Sequence, residues 1–171
     1  FISAEGTVDN LQNNVTEIVL DDNAKVQHYS LQLAATANSY LNHIEVYQKK
    51  HSLYNNYNCN FPGARFLRND INVRLVDEQV ESHLYGINLL ADDQLVDNHT
   101  IVNHMEPHCE SYEWYKNIPQ DNSTAVFNGK IFVREDAQDT NAFQQNNNML
   151  IGDKSTVNSK PQLEIFADDV K

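Results

Sequence analysis

The chain has 171 residues with 12 basic against 24 acidic side chains, a formal net charge of −12. That length is one domain by prior. The charge excludes a phosphate-tracking surface, which needs clustered Lys and Arg where this chain has only the doublet Lys49-Lys50. No apolar run approaches the ~18 residues a bilayer span requires, so neither nucleic acid nor a membrane is an expected partner.

In chain order, residues 1–14 are polar, broken by Gly6, and read as a lead-in. Over 15–33 apolar and polar residues alternate around Asp21-Asp22-Asn23, which predicts two strands and a corner. Residues 34–51 have some helical character, but the alternation at Ile44 and Val46 favours strand. The stretch YNNYNCNFPG at 54–63 reads as an Asn-rich loop or wide corner closed by Pro-Gly. From Ala64 alternation is regular: Phe66, Arg68, Asp70, Asn72 and Arg74 interleave with Leu67, Ile71, Val73 and Leu75. Further runs cover 84–90, 95–102 and 114–118, and 119–124 reads as a polar corner. Asn128-Gly129 is ordinarily a hairpin signal. Its flanks match a repeat rather than each other, so it is assigned to a corner, where Asn and Gly accept positive φ cheaply.

That repeat is clearest in the last third. Phe132-Val133, Leu150-Ile151 and Ile165-Phe166 each run into an acidic turn, with steps of 18 and then 15 residues between Val133, Ile151 and Phe166. The same figure ends at Asp21-Asp22, Asp77-Glu78 and Asp92-Asp93. An apolar residue also recurs six positions on in Leu20/Val26, Leu90/Val96 and Ile151/Val157. Short β-runs separated by polar corners at a steady step mark a solenoid of stacked coils. The expectation is an all-β parallel β-helix with one rung per repeat and a thin interior of Val, Ile and Leu. Val133, Ile151 and Phe166 would then be successive rungs of one interior ladder. The chain begins at Phe1 without Met and stops just after an apolar run, so it is expected to be a fragment.

Two cysteines, Cys59 and Cys109, make no disulfide framework and point to an intracellular protein. The sequons at Asn14, Asn98 and Asn122 are expected by chance in a chain this rich in Asn. None of the five glycines sits in a phosphate-cradling pattern. The metal-like cluster is His104-Met105-Glu106-Pro107-His108-Cys109. On an extended strand its histidines would lie ~13 Å apart with Cys109 on the other face. His108 and Cys109 are therefore kept as metal candidates against a favoured structural reading, and no catalytic or cofactor-binding residue is assigned. The acidic doublets suit turn hydrogen bonding better than a carbohydrate-active parallel β-helix enzyme, the alternative from another class. Such an enzyme would need a groove where Asp converges with Arg or Lys, whereas a scaffold should show none.

Four stretches carry a resemblance: ARFLRNDINVRL (64–75), YGINLLADDQLVDNHTIVNHMEPHCES (85–111), AVFNGKIFV (125–133) and KPQLEIFADDVK (160–171). Together they closely resemble the core domain of the SufB/SufD family of iron–sulfur cluster assembly proteins, and PHCES and KPQLEIFADDVK are nearer to SufD. The likeness is dense over 64–171 and general over 1–63. It implies a right-handed parallel β-helix over 1–171, a core domain without its helical flanks and last coils. It also implies a cytoplasmic, non-enzymatic scaffold subunit with SufB-like and SufC-like partners, the latter an ATPase. No cofactor is implied in this chain; an iron–sulfur cluster, with an associated flavin, belongs to the assembled complex. Pairing in the family lies near the C-terminal end of the β-helix. The apolar residues Leu163, Ile165, Phe166 and Val170 are therefore the expected interface, toward a SufB-like subunit or a second copy of this chain. The family's Cys-Ser-His segment would follow directly after Lys171, so no ligand role is transferred.

Overall fold

The structure, a computed structural model, describes residues 9–33 and 38–171; residues 1–8 of the lead-in and 34–37 of the strand reading lie outside them, while Asn10–Asn14 are not a lead-in but the start of the first strand. Eleven strands follow in order: β1 (Asn10–Leu20), β2 (Lys25–Gln32), β3 (Asn38–Gln48), β4 (Leu53–Asn60), β5 (Phe66–Leu75), β6 (Glu81–Leu90), β7 (Leu95–His104), β8 (Glu110–Pro119), β9 (Thr124–Val133), β10 (Asn141–Asn148) and β11 (Thr156–Ile165). The odd strands form one sheet in the order β1-β3-β5-β7-β9-β11, and the even strands a second, β10-β8-β6-β4-β2. Neighbours pair parallel in both. The chain therefore runs through one sheet, turns a corner, returns through the other and advances one coil, which is a parallel β-helix. No helix occurs among the described residues.

Period-two alternation decides which side chains enter the interior. In β5, Leu67, Asn69, Ile71, Val73 and Leu75 are buried, while Phe66, Arg68, Asp70, Asn72 and Arg74 face out. The corners are tight and stack on one another. Asn23, His51, Gln79, His108 and Asp139 all take positive φ at equivalent corners. Their backbones are linked coil to coil by Asn23 N to Lys50 O, His51 N to Glu78 O, Gln79 N to Pro107 O and His108 N to Gln138 O. Asp21-Asp22 and Asp92-Asp93 lie in such corners.

One coil is two of the short repeats rather than one. Along the first sheet the step is 28 residues from Asn14 to Asn42, 27 from Asn42 to Asn69 and 29 from Asn69 to Asn98. Both corners of a coil end in similar acidic or Asn-rich turns, so the spacing between turns measures half a coil. The interior ladder expected of Val133, Ile151 and Phe166 is therefore wrong. Val133 is fully buried, but Ile151 is 46% and Phe166 60% exposed. Ile151 bridges to Gln120, and it is Ile165 that lies in register with Val133. A shift of one residue exchanges the faces.

Two local readings also change. Most of 54–63 belongs to strand β4, because Asn56, Asn58 and Asn60 turn inward instead of making turns. Asn128-Gly129 lies in the middle of β9. There Gly129 is inward, and a Cβ would collide with the Phe127 ring and the Gln144 amide.

The interior is not filled by aliphatic residues alone. Ile44, Val46, Ile71, Val73, Leu75 and Val102 pack with Tyr54, Tyr115 and Phe127 in one cluster, each large apolar side chain worth about 1.5–3 kcal/mol when fully buried. Asparagine ladders run beside them. Asn14 donates to Asn42, Asn42 to Asn69 and Asn69 to Asn98 under the first sheet. Under the second, Asn60 donates to Asn88, Asn88 to Asn117 and Asn117 to Asn146. Along each ladder a buried amide is hydrogen-bonded to its neighbour one coil away, which is what makes such burial tolerable; at the end of the first ladder Asn98 accepts from Asn69 while its own Nδ2 has no partner.

Candidate functional site

His108 and Cys109 sit next to each other in sequence but not in chemistry. His108 occupies the corner with φ of 60°, half-exposed, its Nδ1 2.9 Å from Asp139. Cys109 turns into the interior, 1% exposed, where its thiol donates to the Asp77 carbonyl at 3.2 Å. Burial pushes that thiol up to about 11, away from the thiolate that binds metal. His104 is inside as well, hydrogen-bonded to the Ser111 hydroxyl at 2.8 Å, and desolvation lowers its imidazole to about 4. Among the described residues no three His, Cys, Asp or Glu side chains converge on a point that could hold a metal ion. The donors here thus do not fit an iron–sulfur cluster.

The C-terminal candidates separate into three environments. Leu163 and Ile165 lie in register with buried Ile131 and Val133 and are 57% and 45% exposed. Phe166 packs outside against Phe132, with ring centroids 5.3 Å apart and the rings tilted at 44°. Val170 is half-buried against the cluster of Ile131, Val133 and Ala137.

The outer face of the first sheet is charged. His43, Arg68, Asp70, His99 and Lys130 line a shallow groove of about 390 Å³. Arg68 makes a two-pronged bond to Asp70, both contacts at 2.9 Å, and a third to Asp97 at 3.1 Å. Asp97 also takes His99 at 2.8 Å, and Lys130 meets Glu164 at 2.8 Å. Asp therefore does converge with Arg on this face, where the scaffold reading expected no such groove. Arg68 and Lys130, the cations of this groove, nevertheless already have carboxylate partners.

The outer face of the second sheet is aromatic. Tyr29, Tyr57 and Tyr85 stack at 4.8 and 5.3 Å, and Trp114 continues their register. Tyr112 and Phe143 extend the ring contacts to β10. The next outward column is Leu31, Cys59, Ile87 and Lys116. Between the columns runs a groove of about 220 Å³ with Gly86 and Asn58 in its floor. Gly86 is required there, because the inward Tyr115 ring occupies the space its Cβ would need.

Beneath this face lies Glu113, fully buried. It accepts a hydrogen bond from Gln144, with the Thr100 hydroxyl beside it, and desolvation raises its carboxyl to about 7. Neither Glu113 nor the aromatic column was singled out from sequence. The column does have a signal, Tyr29, Tyr57, Tyr85 and Trp114 at the length of one coil. Strand parity in ESYEWYKN likewise turns Glu113 inward with Ser111, Tyr115 and Asn117.

A two-sheeted parallel β-helix with a charged outer face, an aromatic outer face and an apolar end is the class of solenoid these residues define. Comparison with known proteins gives the particular family. Residues 2–171 match the family described as SUF system FeS cluster assembly, SufBD core domain. Over 93% of its length the chain is 33% identical to an iron–sulfur cluster assembly SufBD family protein of Synechocystis sp., covering 35% of that protein. It is 32% identical, again over 93% of its length, to the chloroplastic protein ABCI7 of Arabidopsis thaliana, covering 34% of it. Against the iron–sulfur cluster assembly protein SufD of Escherichia coli it is 36% identical over 64% of its length and 26% of SufD. The chain belongs to the SufBD core domain family, and it spans about a third or less of the length of these relatives.

Proposed function

We propose that this chain is the β-helix core of a SufD-like scaffold subunit. It would help assemble iron–sulfur clusters through protein contacts, without catalysis of its own. The family match across residues 2–171 carries the reading, and the likeness to SufD supports the finer assignment. The partners proposed are a SufB-like subunit and a SufC-like ATPase, with a second copy of this chain as the substitute for the first. The cluster is cargo of the assembled complex, and a flavin would also belong to that complex. The contact proposed is the C-terminal end. Leu163 and Ile165 continue two interior columns from Ile131 and Val133 onto β11, the edge strand of the first sheet, the kind of apolar rung a partner covers. Two free cysteines support the cytoplasm as the compartment, and no helix among the described residues is long and apolar enough to cross a membrane.

The test is co-expression of this protein with SufB-like and SufC-like subunits, followed by native mass spectrometry. A stable complex that is lost on Leu163→Lys with Ile165→Lys, while circular dichroism stays unchanged, is the expected result. A folded protein that joins neither subunit would overturn the reading.

A further inference from the structure

The aromatic face has a charge distribution that its apolar centre does not explain. Across the middle of the second sheet the outward columns hold one charge, Lys116, whose ammonium lies 4.2 Å over the Trp114 ring. The face is bordered on both sides by exposed carboxylates. Glu81 and Glu110 stand at the strand starts, in register with each other, and Asp92, Asp93 and Asp121 occupy the corner beyond the strand ends. No ion pair among the described residues engages any of these five. On the first sheet, by contrast, the groove carboxylates Asp70 and Asp97 are already paired. Ten residues of β6 at ~3.3 Å each hold the two acidic borders about 30 Å apart.

We propose that the outer face of the second sheet docks an amphipathic helix of a partner protein, apolar along its middle and rich in Lys or Arg at both ends. A helix laid along the strands needs about 20 residues to span the borders at 1.5 Å per residue. Its apolar stripe would cover the groove between the Tyr85 and Ile87 columns, and its basic ends would meet the two acidic borders, the helix-on-surface mode of recognition. A second copy of this chain fits less well, because its own net charge of −12 would set like borders against like. The inference stands apart from the partner reading above, which concerns the C-terminal end.

Trp114 is the only tryptophan of the chain and reports directly on this face. The probe is a synthetic helix of about 20 residues with a leucine stripe and lysines at both ends, titrated against the chain while Trp114 emission is followed. The expected result is a saturable shift to shorter wavelength that weakens with added salt and loses about tenfold in affinity on Ile87→Asp. The exposed pair Glu81→Lys with Glu110→Lys, which leaves packing untouched, should weaken it likewise. Absence of a saturable shift overturns the proposal, as does equal affinity for a peptide with the leucines shuffled or with glutamate ends. It is also overturned if Ile87→Asp converts a dimer to monomer, which makes a second copy the occupant. Trp114 already shielded from acrylamide in the free protein would mean that the face is covered without a partner, and would likewise overturn the proposal.

Discussion

The two sheets share coils, corners and alternation, yet their outer faces have opposite chemistry. On the first, Arg68 bridges Asp70 and Asp97, and Asp97 holds His99, so charge is spent within the face. On the second, tyrosines from successive coils stack on each other and leave Lys116 as the one central charge. The interior cannot be the cause, since asparagine ladders and apolar columns run under both. In a solenoid the outward positions of each sheet are free of the packing that fixes the inward ones. A column can then repeat one chemistry coil after coil, and each face can be set independently.

That comparison depends on which residues face in, and the largest expected effect tests this. Ile71 is fully buried, so Ile71→Ala should cost ~2–5 kcal/mol by urea denaturation. Ile151, nearly half exposed, should lose less than ~1 kcal/mol on the same change. Equal costs would mean that the faces are wrongly assigned.

Next in size is Glu113, inward of the aromatic face. Its ordinary value is 4.5 and its folded value about 7, so between these the folded state keeps a proton that the unfolded state has lost. Stability contributed at this site therefore falls as pH rises from 4.5 to 7 and is level above. His104 acts in the opposite sense: it is lowered from 6.5 to about 4, so the unfolded state gains the proton first and stability falls as pH drops through that window. Glu113→Gln removes the first effect alone. Its advantage over the parent chain should grow from pH 4.5 to 7 by on the order of a few kcal/mol, read by denaturation at each pH. A difference independent of pH would contradict this.

The smallest effects sharpen the contrast of the faces themselves. Tyr57→Ala removes a ring stacked on both sides and should cost about 1–3 kcal/mol, little changed by salt. Arg68→Ala breaks partly exposed ion pairs and should cost at most ~1 kcal/mol, less at high salt. Thermal melts at two salt concentrations distinguish them. A larger, salt-sensitive loss at Arg68 than at Tyr57 would reverse the account of the two faces.

Much of the fold was legible from alternation and corners. β5 reads directly from Leu67 to Leu75, and the six-residue step from Leu20 to Val26 or Leu90 to Val96 is a corner joining two inward positions. Coil length was harder, because both corners of a coil use the same acidic and Asn-rich turns. Asparagine was misleading for a physical reason. In a single strand it signals a turn, but stacked in register it satisfies itself one coil away, which hid β4. The tyrosine column shares that cause: Tyr29, Tyr57 and Tyr85 become a pattern only once the full coil is the unit. Cys109 could be read as a small buried group from the general habit of free cysteine, but its bond to the Asp77 carbonyl comes from the neighbouring coil.

The central proposal is that this chain works by contact and does not itself hold a cluster. Anaerobic reconstitution with iron and sulfide, followed by analysis of both, tests it most directly, because the thiol best placed in sequence, Cys109, is buried and held up at about 11. The account predicts far less than one iron per chain, unchanged by Cys109→Ser. Stoichiometric iron and sulfide that disappear on Cys109→Ser would contradict it.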